Sequence, residues 1–241
     1  MSQSKRDIIS QLQKDILQWE GYQPAPAHKH GLVGLGPVEA AFPNGVFPVG
    51  TVHELVCENS GQAAATGGFI TGLLSVLMQQ GGACLWIGLS QMLFAPALKN
   101  FGIEPDKVIF LNVLRDQDVL WIMEEALKCP GLAAVIGEVQ TLDFKQSRRL
   151  QLAVEQSRVT GFILRNSSKK PGSTACAARW HIKPLPSEAI AGLPGLGFPR
   201  WQIELLKVRN GQLGSWIMEW DEGQFSVITD NPMVERSQRY G

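Results

Sequence analysis

Short apolar runs in this chain alternate with stretches long enough for a helix, and that alternation restricts the fold more than any other feature. Thr51–Cys57 (TVHELVC), Ala83–Gly88 (ACLWIG), Lys107–Asn112 (KVIFLN), Leu132–Ile136 (LAAVI) and Gly161–Arg165 (GFILR) read as strands. After a turn at Glu58–Gly61, the segments Gln62–Gln80, Gln91–Phe101, Asp116–Lys128 and Phe144–Arg158 read as helices. Asp116 is placed to cap the third of them, and Asp143 with Gln146 forms a capping-box pattern for the fourth. Strands separated by helices cross over in one direction, so a mainly parallel sheet is expected. The end of the chain changes period: Trp201, Ile203 and Leu205, then Trp216, Met218 and Trp220, alternate with polar neighbours. Asn210-Gly211-Gln212-Leu213-Gly214 between them is a hairpin signal. The expected class is α/β, a mainly parallel sheet flanked by helices with an antiparallel C-terminal hairpin.

With 241 residues, 44% of them hydrophobic and 18% charged, the chain can bury a sizeable core, which excludes wholesale disorder. Its 22 basic and 22 acidic side chains cancel, so any nucleic-acid contact has to be local. Cys57, Cys84, Cys129 and Cys176 include no C-x-x-C pair and read as free thiols of a reducing compartment. Residues 5–19 form an amphipathic pattern through Ile8, Ile9, Leu12, Ile16 and Leu17, and the irregular Gly21–Gly36 follows. Residues 1–20 carry charges throughout, with no apolar signal-peptide core, and no uncharged run is apolar enough for a membrane span. A cytoplasmic location with no membrane contact is therefore expected. The domain boundaries expected are 1–30 for helix and linker, 31–228 for the folded domain and 229–241 for a fraying tail.

The first strand, turn and long helix occupy the place of a phosphate-binding loop. Such a loop cradles phosphate on the amides of a helix N-terminus, with a lysine as compact counter-charge. Here Glu58, Asn59, Ser60, Gly61 and Gln62 stand in that place, and no Gly-Lys dipeptide occurs in the chain. Residues 59–98 hold no charged side chain, so neither a lysine for the triphosphate nor an acid after ACLWIG to activate water is present. Phosphoryl transfer is mostly electrostatic positioning, and those charges are what it needs. Glu138, after LAAVIG, reads either as a metal-binding carboxylate at a strand end or as a solvent-facing acid at a sheet edge.

HELVCENSG followed by an alanine- and glycine-rich helix resembles the first strand and phosphate loop of RecA-type ATPases with the essential residues replaced. GLVGLGPVEAAFPNGVFPVGTVHEL, LWIG, LAAVIGE, SRRLQLAVEQSRVTGFILR, ARWHIKPLPS and PRWQIELLKVRNGQLGSWIMEW, in that order over about residues 31–222, are similar to the ImuA family of SOS-induced mutagenesis proteins. That resemblance implies a RecA-like domain with a degenerate phosphate loop, no cofactor and no catalysis. It also implies work with ImuB, an inactive relative of Y-family polymerases, and with an error-prone C-family DNA polymerase in translesion synthesis. SulA, the inhibitor of FtsZ assembly, is similar to the same fold and supplies the competing function. A third reading is an unorthodox ATPase that recruits Lys99 or a partner's lysine.

Arg165, Lys169, Lys170, Arg179 and Lys183 lie within residues 165–187, which contain no acid. In RecA-like proteins the loop in this place faces DNA, so the resemblance implies contact with single-stranded DNA, salt-dependent and largely indifferent to sequence. A solvated basic loop without a ligand is the other reading. Ile8, Leu12 and Ile16 have the spacing of a helix laid in a partner's groove, RecA, ImuB or a second copy, or of a helix packed on its own domain. His28 and His30 have no carboxylate or thiol nearby to complete a metal site, and His53 reads as a core or strand-edge residue. No G-x-S-x-G motif occurs, so hydrolase chemistry has no foothold.

Overall fold

The computed structural model describes residues 33–89, 95–167, 169–187 and 197–228. The expected helix carrying Ile8, Leu12 and Ile16, and the expected tail 229–241, lie outside them. Among the described residues nine strands form one sheet: β1 Val52–Cys57, β2 Ala83–Gly88, β3 Val108–Asn112, β4 Leu132–Val139, β5 Thr160–Asn166, β6 Ala178–Leu185, β7 Arg200–Val208, β8 Gly214–Asp221 and β9 Gln224–Val227. Their order is β3-β2-β4-β5-β1-β6-β7-β8-β9. Every pair from β3 to β6 is parallel, and β6 through β9 continue antiparallel. Helices α1 (Ser60–Leu77), α2 (Asp116–Ala126) and α3 (Phe144–Ser157) cover the faces.

Strand alternation divides the core in two. Val52, Ile87, Val135 and Ile163 meet Val119 and Met123 of α2 and Leu150 and Val154 of α3 in one buried cluster. On the opposite face α1 lies over aromatic rings: Phe69 stands 5.9 Å from Trp180, 6.1 Å from Trp201 and 5.3 Å from Phe225, centre to centre. Gly72 lets the helix approach this closely, because a Cβ there would come within 2.5 Å of Phe225 Cζ and 3.1 Å of the Trp220 ring. The tryptophans of the C-terminal strands thus form the floor of α1, which explains why a helix with little polar surface is stable on this sheet.

The structure corrects several local expectations. Helix α1 starts at Ser60 rather than Gln62, capped by Asn59. Asp116 does not cap α2. It is the first helical residue, after Arg115, and its carboxylate instead accepts from Gln140 N at 3.1 Å and Thr141 N at 2.9 Å. An acid in a first turn is favoured by the helix dipole, and here it also ties down the chain leaving β4. The capping box of α3 is present, with Gln146 N donating to Asp143 Oδ1 at 2.7 Å and Asp143 N to Gln146 Oε1 at 2.9 Å. Within Gln91–Phe101 the described part, Ala95–Phe101, is a 3-10 helix. Pro96 supplies no amide near its start, and Gly102 at φ +74° closes it. The stretch Ala178–Leu185 of the expected basic loop is strand β6, interior to the sheet, where Arg179, His181 and Lys183 alternate with Trp180 and Ile182. No described helix is long and apolar enough to cross a membrane.

Candidate functional site

The segment expected as a degenerate phosphate loop, Glu58 through Gln62, runs from the end of β1 into the first turn of α1, and only Glu58 and Asn59 separate the two elements. A turn this short follows from its side chains. Asn59 is extended, at φ −152° and ψ 171°, and its Oδ1 accepts from Gln62 N at 2.9 Å. Gln62 returns its Oε1 to Glu58 N at 2.8 Å. Two amides of the turn, Glu58 N and Gln62 N, which in a phosphate cradle would face an anion, are therefore closed by the chain's own side-chain oxygens. His181 Nε2 lies 3.1 Å from the same Gln62 oxygen, and His181 Nδ1 is 3.1 Å from Glu204 Oε2, so both ring nitrogens face acceptors. Burial alone would raise the Glu204 carboxyl, but Lys183 at 3.0 Å and His181 hold it below the ordinary carboxylate range. Glu58, Asn59, Ser60 and Gly61 are exposed and Gln62 is buried.

The five cations expected to share one surface are divided by the fold. Glu54 in the middle of β1 is fully buried, and Arg165 Nη1 (3.4 Å), Arg179 Nε (2.8 Å) and Thr174 Oγ1 (2.8 Å) all point at its carboxylate. Register explains the meeting: Glu54 lies opposite Arg179 on β6, and the next residue of the same face, Val56, lies opposite Arg165 on β5. Two guanidiniums around one buried acid fasten the segment after β5 to the sheet, with Arg179 also donating to the carbonyl of Gly172. Lys183 is half-buried against Glu204, which leaves Lys169 and Lys170 as the exposed cations of the set. The signal that marks Glu54 in the sequence is a carboxylate inside an otherwise apolar strand.

Glu138 is not a solvent-facing acid. It sits in β4 at 5% exposure, accepting from Trp86 Nε1 at 2.7 Å, and burial raises its pKa above the ordinary carboxylate value. Together with Leu164 and Asn166 at the end of β5, Phe101, and Ala63 and Gly67 of α1, it lines a cavity of about 240 Å³. The cavity lies toward the carboxyl ends of parallel strands, where open α/β sheets hold ligands. Among the described residues no three His, Cys, Asp or Glu side chains converge as a metal site. His53 is a core residue: Trp180 Nε1 donates to its Nδ1 at 3.2 Å, and its Nε2 donates to Pro48 O at 2.8 Å.

No protein-family profile matches the chain. Among curated proteins it is similar to Protein ImuA of Caulobacter vibrioides, 33% identical over 201 residues that cover 78% of this chain and 82% of that protein. It is also similar, over a shorter stretch, to the cell division inhibitor SulA of Photorhabdus laumondii, 34% identical over 96 residues, 39% of this chain and 54% of that one. Among solved structures the RadB recombinase superposes with a TM-score of 0.55 at 13% identity, over 82% of this chain and 99% of that one. At that identity the likeness concerns the fold alone, and the fold is RecA-like: a mainly parallel sheet flanked by helices, with antiparallel strands at its C-terminal side.

Proposed function

The chain belongs to the ImuA family, and on that premise we propose that it is a non-catalytic RecA-like adaptor of damage-inducible translesion DNA synthesis. In this reading it holds ImuB, and through it an error-prone C-family DNA polymerase, and requires no nucleotide. The observation that carries the non-catalytic half is the turn before α1, where Gln62 Oε1 accepts from the Glu58 amide and Asn59 Oδ1 from the Gln62 amide, with no lysine anywhere in residues 59–98. An ATPase needs those amides free and that charge present.

Contact with single-stranded DNA belongs to the reading in a reduced form. Lys169 and Lys170 remain available to phosphate, whereas Arg165 and Arg179 serve Glu54 and Lys183 serves Glu204. Ile8, Leu12 and Ile16 are proposed as the docking stripe for RecA or ImuB on the strength of their helical spacing. The experiment is co-expression with ImuB, RecA and FtsZ in separate pull-downs at two salt concentrations, alongside calorimetry with ATP and Mg²⁺. Retention of ImuB with no ATP heat is the expected result. Capture of FtsZ alone would transfer the protein to division control, and stoichiometric ATP binding would remove the non-catalytic reading.

A further inference from the structure

The cavity beside α1 has a polarity opposite to that of a nucleotide site. Each hydrogen-bond donor that its described lining contributes and the structure pairs is already engaged internally. Trp86 Nε1 donates to Glu138 Oε1 at 2.7 Å, and Thr71 Oγ1 donates to Gly67 O at 2.8 Å. What remains is the Asn166 amide and a carboxylate oxygen. Asn166 Oδ1 is buried with no hydrogen-bond partner, and Glu138 has its second carboxylate oxygen beyond the one that meets Trp86. None of the described lining residues is basic. The remaining walls are apolar, with the rings of Trp86 and Phe101 and the side chains of Leu98 and Leu164 over a floor of alanine and glycine from α1. Ala64 lines the cavity and is exposed, which gives it a mouth.

An orphaned buried acceptor and a buried carboxylate in an apolar hollow are both costly, and one kind of occupant relieves both. It brings N–H donors and positive charge at one end and a flat apolar body at the other. Phosphate, carboxylate and other anions would meet the Glu138 carboxylate with no basic side chain among the described lining to offset it. At about 30 Å³ per water-sized group, 240 Å³ admits on the order of eight non-hydrogen atoms. The geometry points to a binding site for a small organic cation, an amidinium or ammonium on a planar apolar body, with Glu138 and Asn166 as its acceptors and Trp86 and Phe101 as its aromatic walls. Aromatic faces add to the attraction for a cation. Because burial raises the Glu138 pKa, the charged form that holds the ligand is lost as pH falls, and affinity falls with it.

Benzamidinium and benzoate form a matched pair of probes, alike in shape and opposite in charge. The full chain is labelled with ¹⁵N-tryptophan, the Trp86 indole resonance is assigned with Trp86→Phe, and each probe is titrated at neutral pH. Benzamidinium is expected to move the Trp86 Nε1–H resonance saturably while benzoate leaves it in place. Glu138→Gln is expected to weaken benzamidinium by roughly tenfold or more, since hydrogen bonds to charged groups contribute that much. Ala64→Phe, which fills the mouth without touching the acceptors, is expected to block the probe in a chain whose remaining spectrum is unchanged; it carries the test should Glu138→Gln not fold. Equal response to both probes, no saturable response to benzamidinium, or undiminished affinity in Ala64→Phe would overturn the proposal.

Discussion

Replacing Glu54 by alanine tests whether the basic segment after β5 is fastened from within or offered to a ligand. Glu54 is fully buried, and the Arg165 and Arg179 side chains are 8% and 13% exposed, so the variant leaves two guanidiniums in a nearly dry place with no counter-charge. Taking one partner from a buried ion pair costs about 3–5 kcal/mol. Against a total domain stability of about 5–15 kcal/mol, that is a large share. With a urea m-value of about 2–3 kcal/mol/M for a chain of this length, the unfolding midpoint should fall by about 1–2 M. The Lys169→Ala/Lys170→Ala variant supplies the contrast. Both side chains are exposed, so its stability should stay within about 0.5 kcal/mol of the parent, while any single-strand affinity should fall. The assay is urea unfolding followed by tryptophan fluorescence for both variants, with single-strand binding by anisotropy. A Glu54→Ala cost below about 1 kcal/mol would refute the buried cluster. Undiminished single-strand binding by the lysine variant would refute the DNA surface.

Three further outcomes follow from particular contacts. Burial lowers the His53 pKa from 6.5 to about 4, only partly countered by its hydrogen bond to Pro48. The folded pKa is the depressed one, so the unfolded chain takes up the proton first. This contribution to stability is complete above pH 6.5 and lost progressively toward pH 4, by about 3 kcal/mol in all. His53→Gln should flatten that part of the stability–pH curve, measured by denaturant unfolding across the interval; an unchanged slope would assign the loss to other groups. Asn59→Ala should cost about 1 kcal/mol by removing the cap on Gln62 N, read as a lower thermal midpoint. Gly72→Ala sets about 1 kcal/mol of helix propensity against about 1–3 kcal/mol of overpacking on Phe225 and Trp220. Overpacking should win, and a stabilised variant would mean that α1 sits farther from the sheet.

Periodicity made the parallel half of the sheet legible, because the runs ACLWIG and LAAVI are buried on both faces and carry no ambiguity of pattern. It failed at β6. ARWHIKPL reads as a basic loop when charge is counted, yet each of its ionic side chains has a counterpart that sequence distance conceals: Glu54 for Arg179, and Glu204 for His181 and Lys183. A charge inside a sheet is visible in the sequence only when its partner is, and here the partners stand on β1 and β7. The same limit applied to Glu138, whose burial depends on Trp86 from a neighbouring strand. The absence of a lysine and an acid from residues 59–98 is legible residue by residue, since it consists of missing charges. Closure of the turn joining β1 to α1 by Asn59 and Gln62 is not, because amide side chains are as much at home in open turns as in caps.

In the proposed adaptor a nucleotide fold would persist without its nucleotide. Removing the lysine alone would leave a ring of inward-facing amides at the head of α1, still attractive to anions. Shortening the turn to Glu58 and Asn59 and returning their side-chain neighbours to the backbone removes that attraction as well. Beside α1, Glu138 then places a carboxylate in a cavity whose described lining has no basic residue, where a triphosphate would require positive charge. Reinstating a lysine at Gly61 should therefore not restore ATP binding, since Gln62 and Asn59 would still occupy the Glu58 and Gln62 amides. A Gly61→Lys variant that bound ATP in calorimetry would show instead that the missing charge was the whole deficit.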